Sequence, residues 1–178
     1  MTPEFIVELR RHVGHAELWL IGVTVIVVRG DDGAEEVLLV RRADDGRWTP
    51  VTGIVDPGEE PDVAGVREVL EETALNVELE SLLAVQATRA IEYPNGDRAR
   101  YLDHAFVARV AGDGGSGGAG QDARPHPADG ENTAAEWVPL SQVPSMGPRF
   151  DRTVELAIRA RRGESDGAVL FGEEERPR

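Results

Sequence analysis

The apolar positions of the chain fall into runs with two different rhythms. In "LWLIGVTVIVVR", the stretch Leu18 to Val28 is broken only by Gly22 and Thr24. A nearly continuous β-branched and aliphatic run predicts a buried strand, and it is well short of the about 20 residues that cross a bilayer. "EEVLLVRR" repeats the strand signature after the turn signal "GDDGA". "WTPVTG", Trp48 to Gly53, predicts a short strand entering a tight loop. Val77 to Tyr93 and Arg98 to Val110 read as two further strands joined by "YPNGD", in which Asn95-Gly96 is a hairpin signal. "EWVPL" predicts a last short strand.

Between these runs the spacing becomes helical. Phe5, Ile6, Leu9 and Val13 mark a short amphipathic helix over 2–14, with Thr2 as N-cap, Pro3 as first helical residue and Gly14 as stop. A second helix is predicted from about Asp62 to Leu75. A third is "RFDRTVELAIRARRG", with Asp151 as cap and Gly163 as stop. The loop 112–130 begins with "GDGGSGGAG", the composition of a flexible linker, and the tail 164–178 is expected to fray. Strands and helices alternate without a repeated βαβ rhythm. The expected architecture is a single α/β domain over 1–163, a mixed β-sheet with helices on both faces.

Composition narrows the functional classes. The 178 residues carry 33 acidic against 19 basic side chains and a formal charge of −14. With no basic patch, a nucleic acid polymer is not an expected partner. A small phosphate ligand would need local arginines or bound cations to offset the acidic field. Cysteine is absent, which removes thiolate nucleophiles, thiolate metal sites and disulfides. Without a signal-peptide pattern or a long apolar span, a soluble cytoplasmic protein with no membrane partner is expected. A homodimer through the first helix or the hairpin is open to the chain, though no sequence feature demands it.

Within this acidic chain, "REVLEETAL" crowds Glu68, Glu71 and Glu72 together. At about 100° per residue, Val63, Val66, Leu70 and Ala74 should face the sheet. Glu68 and Glu72 should lie roughly opposite, with Glu71 at their flank. A glutamate-rich helix is ordinarily a solvated face. The other reading is a site for hard divalent cations, which prefer several carboxylate oxygens.

The residues just before the helix favour the second reading. "GIVDPGEEPDVAGVREVLEETAL", 53–75, resembles the Nudix box through Gly53, Glu59, Arg67, Glu68, Val69, Glu71, Glu72 and Leu75. Two departures stand out. Val51-Thr52-Gly53 replaces the usual Pro-Gly-Gly entry, and Ala74 stands where the family has Gly. Asn76 is expected to take over the left-handed helix stop.

The resemblance implies the Nudix fold and a metal-dependent hydrolase. Its substrate would be a nucleoside diphosphate linked to another moiety, such as a nucleoside triphosphate, ADP-ribose or a nucleotide-sugar. It also implies Mg²⁺ or Mn²⁺, with Glu71 and Glu72 as principal ligands and Glu68 as a further ligand or the general base. Glu59 would be a ligand or the ion-pair partner of Arg67, Arg67 would orient the carboxylates, and Thr52 would offer its carbonyl.

Outside the box, Glu131 is the candidate for an additional catalytic carboxylate, with Glu136 as its competitor. Trp48 is a candidate for base stacking. Among Arg41, Arg42, Arg89, Arg98 and Arg100, one or two are expected to touch substrate, with Arg42 and Arg89 foremost. The rival reading is a catalytically silent module of the same fold that binds a nucleotide or ADP-ribose as a regulator.

Overall fold

The computed structural model describes residues 2–112 and 122–172. Nine strands among them form one mixed sheet, sandwiched between helices. Its spine is the parallel pair β1 (Leu18–Arg29) and β7 (Arg98–Val110), in register from Leu18↔Ala99 to Val27↔Ala108. β5 (Val77–Ala87) runs antiparallel to β7. The short β6 (Ile91–Glu92) completes the hairpin to β7.

On the other side β1 changes partner along its length. Gly22 to Val25 pair with β4 (Val51–Ile54), and only Val28 and Arg29 reach β2 (Glu36–Arg42). β2 is flanked by β3 (Trp48–Thr49) and by β8 (Asn132–Pro139). β8 is thus longer than the expected "EWVPL" segment. The division of β1 leaves β4 beside its middle, and this sets the strand–loop–helix unit 53–75 against the central part of the sheet.

The alternating sides of β1 feed two cores. Val25 and Val27 belong to one cluster with Val69 and Leu75, under helix α2 (Pro61–Thr73). Ile26 and Val28 belong to the other, with Val154, Ala157 and Ile158 of helix α3 (Pro148–Arg161). Strands covered on both faces read as continuous apolar runs, and this accounts for the nearly continuous apolar sequence of β1. Gly65 lets α2 sit close to the sheet, since a Cβ there would stand 3.1 Å from Val25 Cγ2.

Several local expectations are corrected. Helix α1 (Glu4–Val13) begins one residue later than predicted: Pro3, not Thr2, is its N-cap and accepts from the Ile6 N–H. Gly147 caps α3, while Asp151 reaches back from inside the helix to accept from Met146 N and Ser145 Oγ, both at 2.7 Å. Arg162, rather than Gly163, is its C-cap. Part of the expected tail is ordered, because β9 (Leu170–Phe171) pairs with β5.

Ala74 itself adopts the left-handed conformation, with φ 57° and ψ 19°, so Asn76 does not take the stop. Within loop 112–130, the Gly-rich segment 113–120 lies outside the described residues. The following segment is tied down, with His126 N donating to Thr73 O and Ala128 N to Glu72 O.

Candidate active site

The face of α2 that meets the sheet is not the one its apolar spacing suggested. Ala64, Gly65, Val69, Glu72 and Thr73 are buried, whereas Val63 is 56% exposed and Leu70 is 44% exposed. The helix packs through small residues, and Leu70 lines a cleft instead. The glutamates consequently lie beside and beneath that cleft rather than on a face turned wholly outward.

Arg67 organises them. Its Nε and Nη2 bind both oxygens of Glu59 at 2.9 Å. Its Nη1 donates at 3.0 Å to both Glu68 Oε1 and Glu71 Oε2, and Nη2 also donates to Ile54 O at 3.1 Å. A planar guanidinium can serve several acceptors at once; an ammonium would be a single point charge. The bond to Arg67 holds the Glu59 carboxyl below its ordinary range. The hydrogen bond to Glu59 in turn raises Arg67, which stays charged throughout.

Glu68 is held close to the strand it faces. A Cβ at position 53 would come within 2.1 Å of the Glu68 side chain, so any larger residue there would push Glu68 out of this position. Ile54 N donates to Glu68 Oε1 at 3.3 Å. Burial pushes the Glu68 carboxyl up, against the opposing influence of Arg67.

Glu72 is deeper, at 6% exposure. Asn132 Nδ2, at the start of β8, donates to its Oε2 at 2.9 Å. Desolvation, together with the charges of Glu68 and Asp129, pushes the Glu72 carboxyl up to about 8 despite that bond. Such a carboxylate is short of positive charge.

A cleft of about 2050 Å³ opens over this group. Thr52, Gly53, Arg67, Glu68, Glu71 and Glu131 all line it, so most of the predicted residues share one space. Glu72 and Glu59 are not among its lining residues. Trp48 and Arg42 also line the cleft, with Arg42 gripping Asp44 through Nε at 2.9 Å and Nη2 at 2.6 Å. Arg89 is exposed and is not part of the lining. Arg98 and Arg100 turn to Glu17.

Sequence reasoning missed three elements of this cleft. Asp129 lies near Glu72 and lines the opening. Tyr93 and Tyr101 face each other, with hydroxyls 2.6 Å apart. Asp103, 1% exposed, is held by Thr24 and Arg149. An aspartate inside the apolar run of β7 was the available signal for the last of these.

The donor set suits a hard divalent cation: oxygen ligands only, with more carboxylates than Arg67 can balance. Among the described residues no three acidic or imidazole side chains already enclose an ion-sized space. The Arg67 Nη1 bonds to both Glu68 and Glu71 instead.

A model of the NUDIX domain matches residues 19–157. The chain is 33% identical over 126 residues to a putative 8-oxo-dGTP diphosphatase of Bacillus subtilis, covering 69% of this chain and 68% of that protein. It is 40% identical over 73 residues to a MutT-like protein of Streptomyces ambofaciens, covering 40% of this chain and 46% of that one. In structure it resembles an ADP-ribose pyrophosphatase from Streptococcus suis, with a TM-score of 0.61 at 21% identity over 85% of this chain and 98% of the other. It also resembles a UDP-X diphosphatase, with a TM-score of 0.60 at 17% identity over 97% of this chain and 76% of that one. These two likenesses establish the fold; the residues of the box and the match across 19–157 establish more. The chain belongs to the NUDIX domain family and is a Nudix-type hydrolase.

Proposed function

We propose that this protein uses Mg²⁺ or Mn²⁺ to hydrolyse the diphosphate linkage of a small nucleoside diphosphate derivative, such as a nucleoside triphosphate, ADP-ribose or a nucleotide-sugar. One observation carries the reading. Glu59, Glu68 and Glu71 converge on the single guanidinium of Arg67, with Glu72 buried beside them, at the edge of an open cleft. That excess of negative charge invites cations, and a diphosphate is the kind of substrate that arrives with them.

Glu68, Glu71 and Glu72, with the Thr52 carbonyl, are the residues that would hold the ions. When bound, the cations would neutralise the diphosphate and acidify a water. Glu59 acts through Arg67, fixing the guanidinium that in turn orients Glu68 and Glu71. Asn132 fixes the carboxylate of Glu72. Glu131 is the general base of this reading: it is exposed to the cleft and stands at the entry to β8, where its main chain is anchored by Ala43 N. Trp48 and Arg42, on the cleft wall, serve to position substrate.

The test is release of phosphate and nucleotide from a panel of nucleoside triphosphates, dinucleotides and nucleotide-sugars. It is run with Mg²⁺ and with Mn²⁺ on wild type and Glu72→Gln. Metal-dependent turnover lost by at least about 100-fold in the variant is expected, the scale of removing one preorganised charge-stabilising group. Binding without turnover by wild type would establish the regulatory module instead.

A further inference from the structure

The cleft contains a second ionic group, away from the glutamates. Asp103 on β7 accepts from Thr24 Oγ1 at 2.9 Å and 3.1 Å through its two oxygens. Arg149, in the first turn of α3, places Nη2 2.8 Å from Asp103 Oδ1 and donates to Thr24 Oγ1 at 2.9 Å. Three elements that are distant in sequence thus fix one guanidinium at the cleft. Nη2 is held by one hydrogen bond and one ion pair. Nη1 has no partner among the described residues, and Nε is buried without one. The guanidinium also stacks at 4.7 Å on the ring of Phe150.

Position and charge say what such a group can read. Thr24 stands directly opposite Thr52 in the β1–β4 pair. Arg149 is therefore one to two strand spacings, about 5–10 Å, from the strand that opens the box. That is roughly the reach of a nucleoside from its phosphates. A full positive charge would suit phosphate, but Asp103 already neutralises Arg149. What remains is a rigid donor in a partly desolvated wall, favouring a neutral acceptor with a fixed direction. Trp48, Tyr101, Met146 and Phe150 line the same cleft and offer apolar and aromatic surface for a planar base.

Resting on the function proposed above, we infer that Arg149 is a specificity-determining residue that hydrogen-bonds a carbonyl oxygen of the substrate's base. Asp103 and Thr24 are its positioning residues. A 6-oxopurine, guanine or hypoxanthine, satisfies the free donor. Adenine turns an amino group toward it and leaves two donors facing each other, the arrangement that polar sites reject most strongly.

Calorimetric binding of GMP, IMP and AMP to the full chain tests this, because none of the three has a diphosphate to cleave. GMP and IMP should bind wild type about tenfold or more tightly than AMP, the scale of one good base contact. In Arg149→Gln the ratio should fall toward unity. Arg149→Lys keeps the charge beside Asp103 but lacks the planar fork, so it should narrow the ratio while preserving the fold. Should Arg149→Gln fail to fold, Arg149→Lys decides, and an unchanged ratio there overturns the inference. It is equally overturned by equal affinity of wild type for all three, by no binding of any at millimolar concentration, or by an equal loss for all three in the variant. The last would make Arg149 a phosphate contact. Since no bond is broken, failed hydrolysis alongside intact GMP-over-AMP discrimination would sink the proposed function and leave this inference standing.

Discussion

Two buried carboxylates in this protein are treated in opposite ways. Asp103 has its cation built in: Arg149 and Thr24 close around it. Glu72 is hydrogen-bonded by the neutral amide of Asn132 and feels the charge of Arg42, but burial and the charges of Glu68 and Asp129 outweigh both. Burying an ionised group without a counter-charge is costly, and in such a place the group takes up a proton instead. The difference separates a carboxylate that holds a cation of its own in place from one kept short of positive charge. A guanidinium paired directly with Glu72, as Arg149 is with Asp103, would compensate it and weaken the site's attraction for a metal ion.

The largest expected effect comes from erasing the uncompensated charge. Glu72→Gln should reduce metal-dependent hydrolysis by at least about 100-fold. In metal-free buffer near pH 8 its thermal transition should be no lower than that of wild type. A variant that lost activity only because it unfolded would break the comparison.

The pH dependence of stability comes next. The folded-state value of Glu72 lies near 8 against an ordinary 4.5. Its contribution to stability is therefore fully present below about 4.5 and is lost as pH rises toward and through 8. In chelator-treated protein, urea unfolding should show a Glu72-dependent fall on the order of a few kcal/mol across that window. Glu72→Gln should lack this component, and Mg²⁺ or Mn²⁺ should restore stability at the alkaline end. An identical slope in both proteins would show that Glu72 is not short of charge in the fold.

Asp103→Asn probes the compensated site. Removing the anion strands Arg149, and because the guanidinium is partly exposed, a loss of about 1–3 kcal/mol is expected by chemical denaturation. This loss should be insensitive to added metal, unlike any change at Glu72.

The smallest effect is at the end of the same helix. Ala74 is the one described non-glycine residue with positive φ, so Ala74→Gly should stabilise the protein by about 1 kcal/mol. It should leave the pH profile of Glu72 in place. A destabilised Ala74→Gly would mean that the alanine methyl is held by packing that outweighs backbone strain.

Much of the site was legible because it is local. Gly53, Glu59, Arg67, Glu68 and Glu71 lie within one strand–loop–helix unit, and Arg67 meets Glu71 simply as an i,i+4 pair. The helix face was not legible. Of the apolar stripe Val63, Val66 and Leu70, only Val66 packs on the core, and the buried surface that meets the sheet is Ala64, Gly65, Val69 and Thr73. Periodicity counts hydrophobicity, while close helix–sheet contact selects for small side chains, and here the second consideration won. Glu72 was correspondingly expected outside and is buried. The Asp103 group escaped notice for a different reason. Thr24 and Asp103 are 79 positions apart, and Thr24 and Arg149 are 125 apart, so no local pattern connects them.

By itself, then, the sequence determined the three helices and the order of the main strands, the acidic strand–loop–helix unit and the family to which it points. These depend on alternation, turn residues and short-range spacing, all carried by neighbours along the chain. Tertiary structure decided which carboxylates are buried, which have a cation beside them and which share the cleft. Burial and charge compensation depend on what the other strands and helices bring to the same point, and only the folded chain places them there.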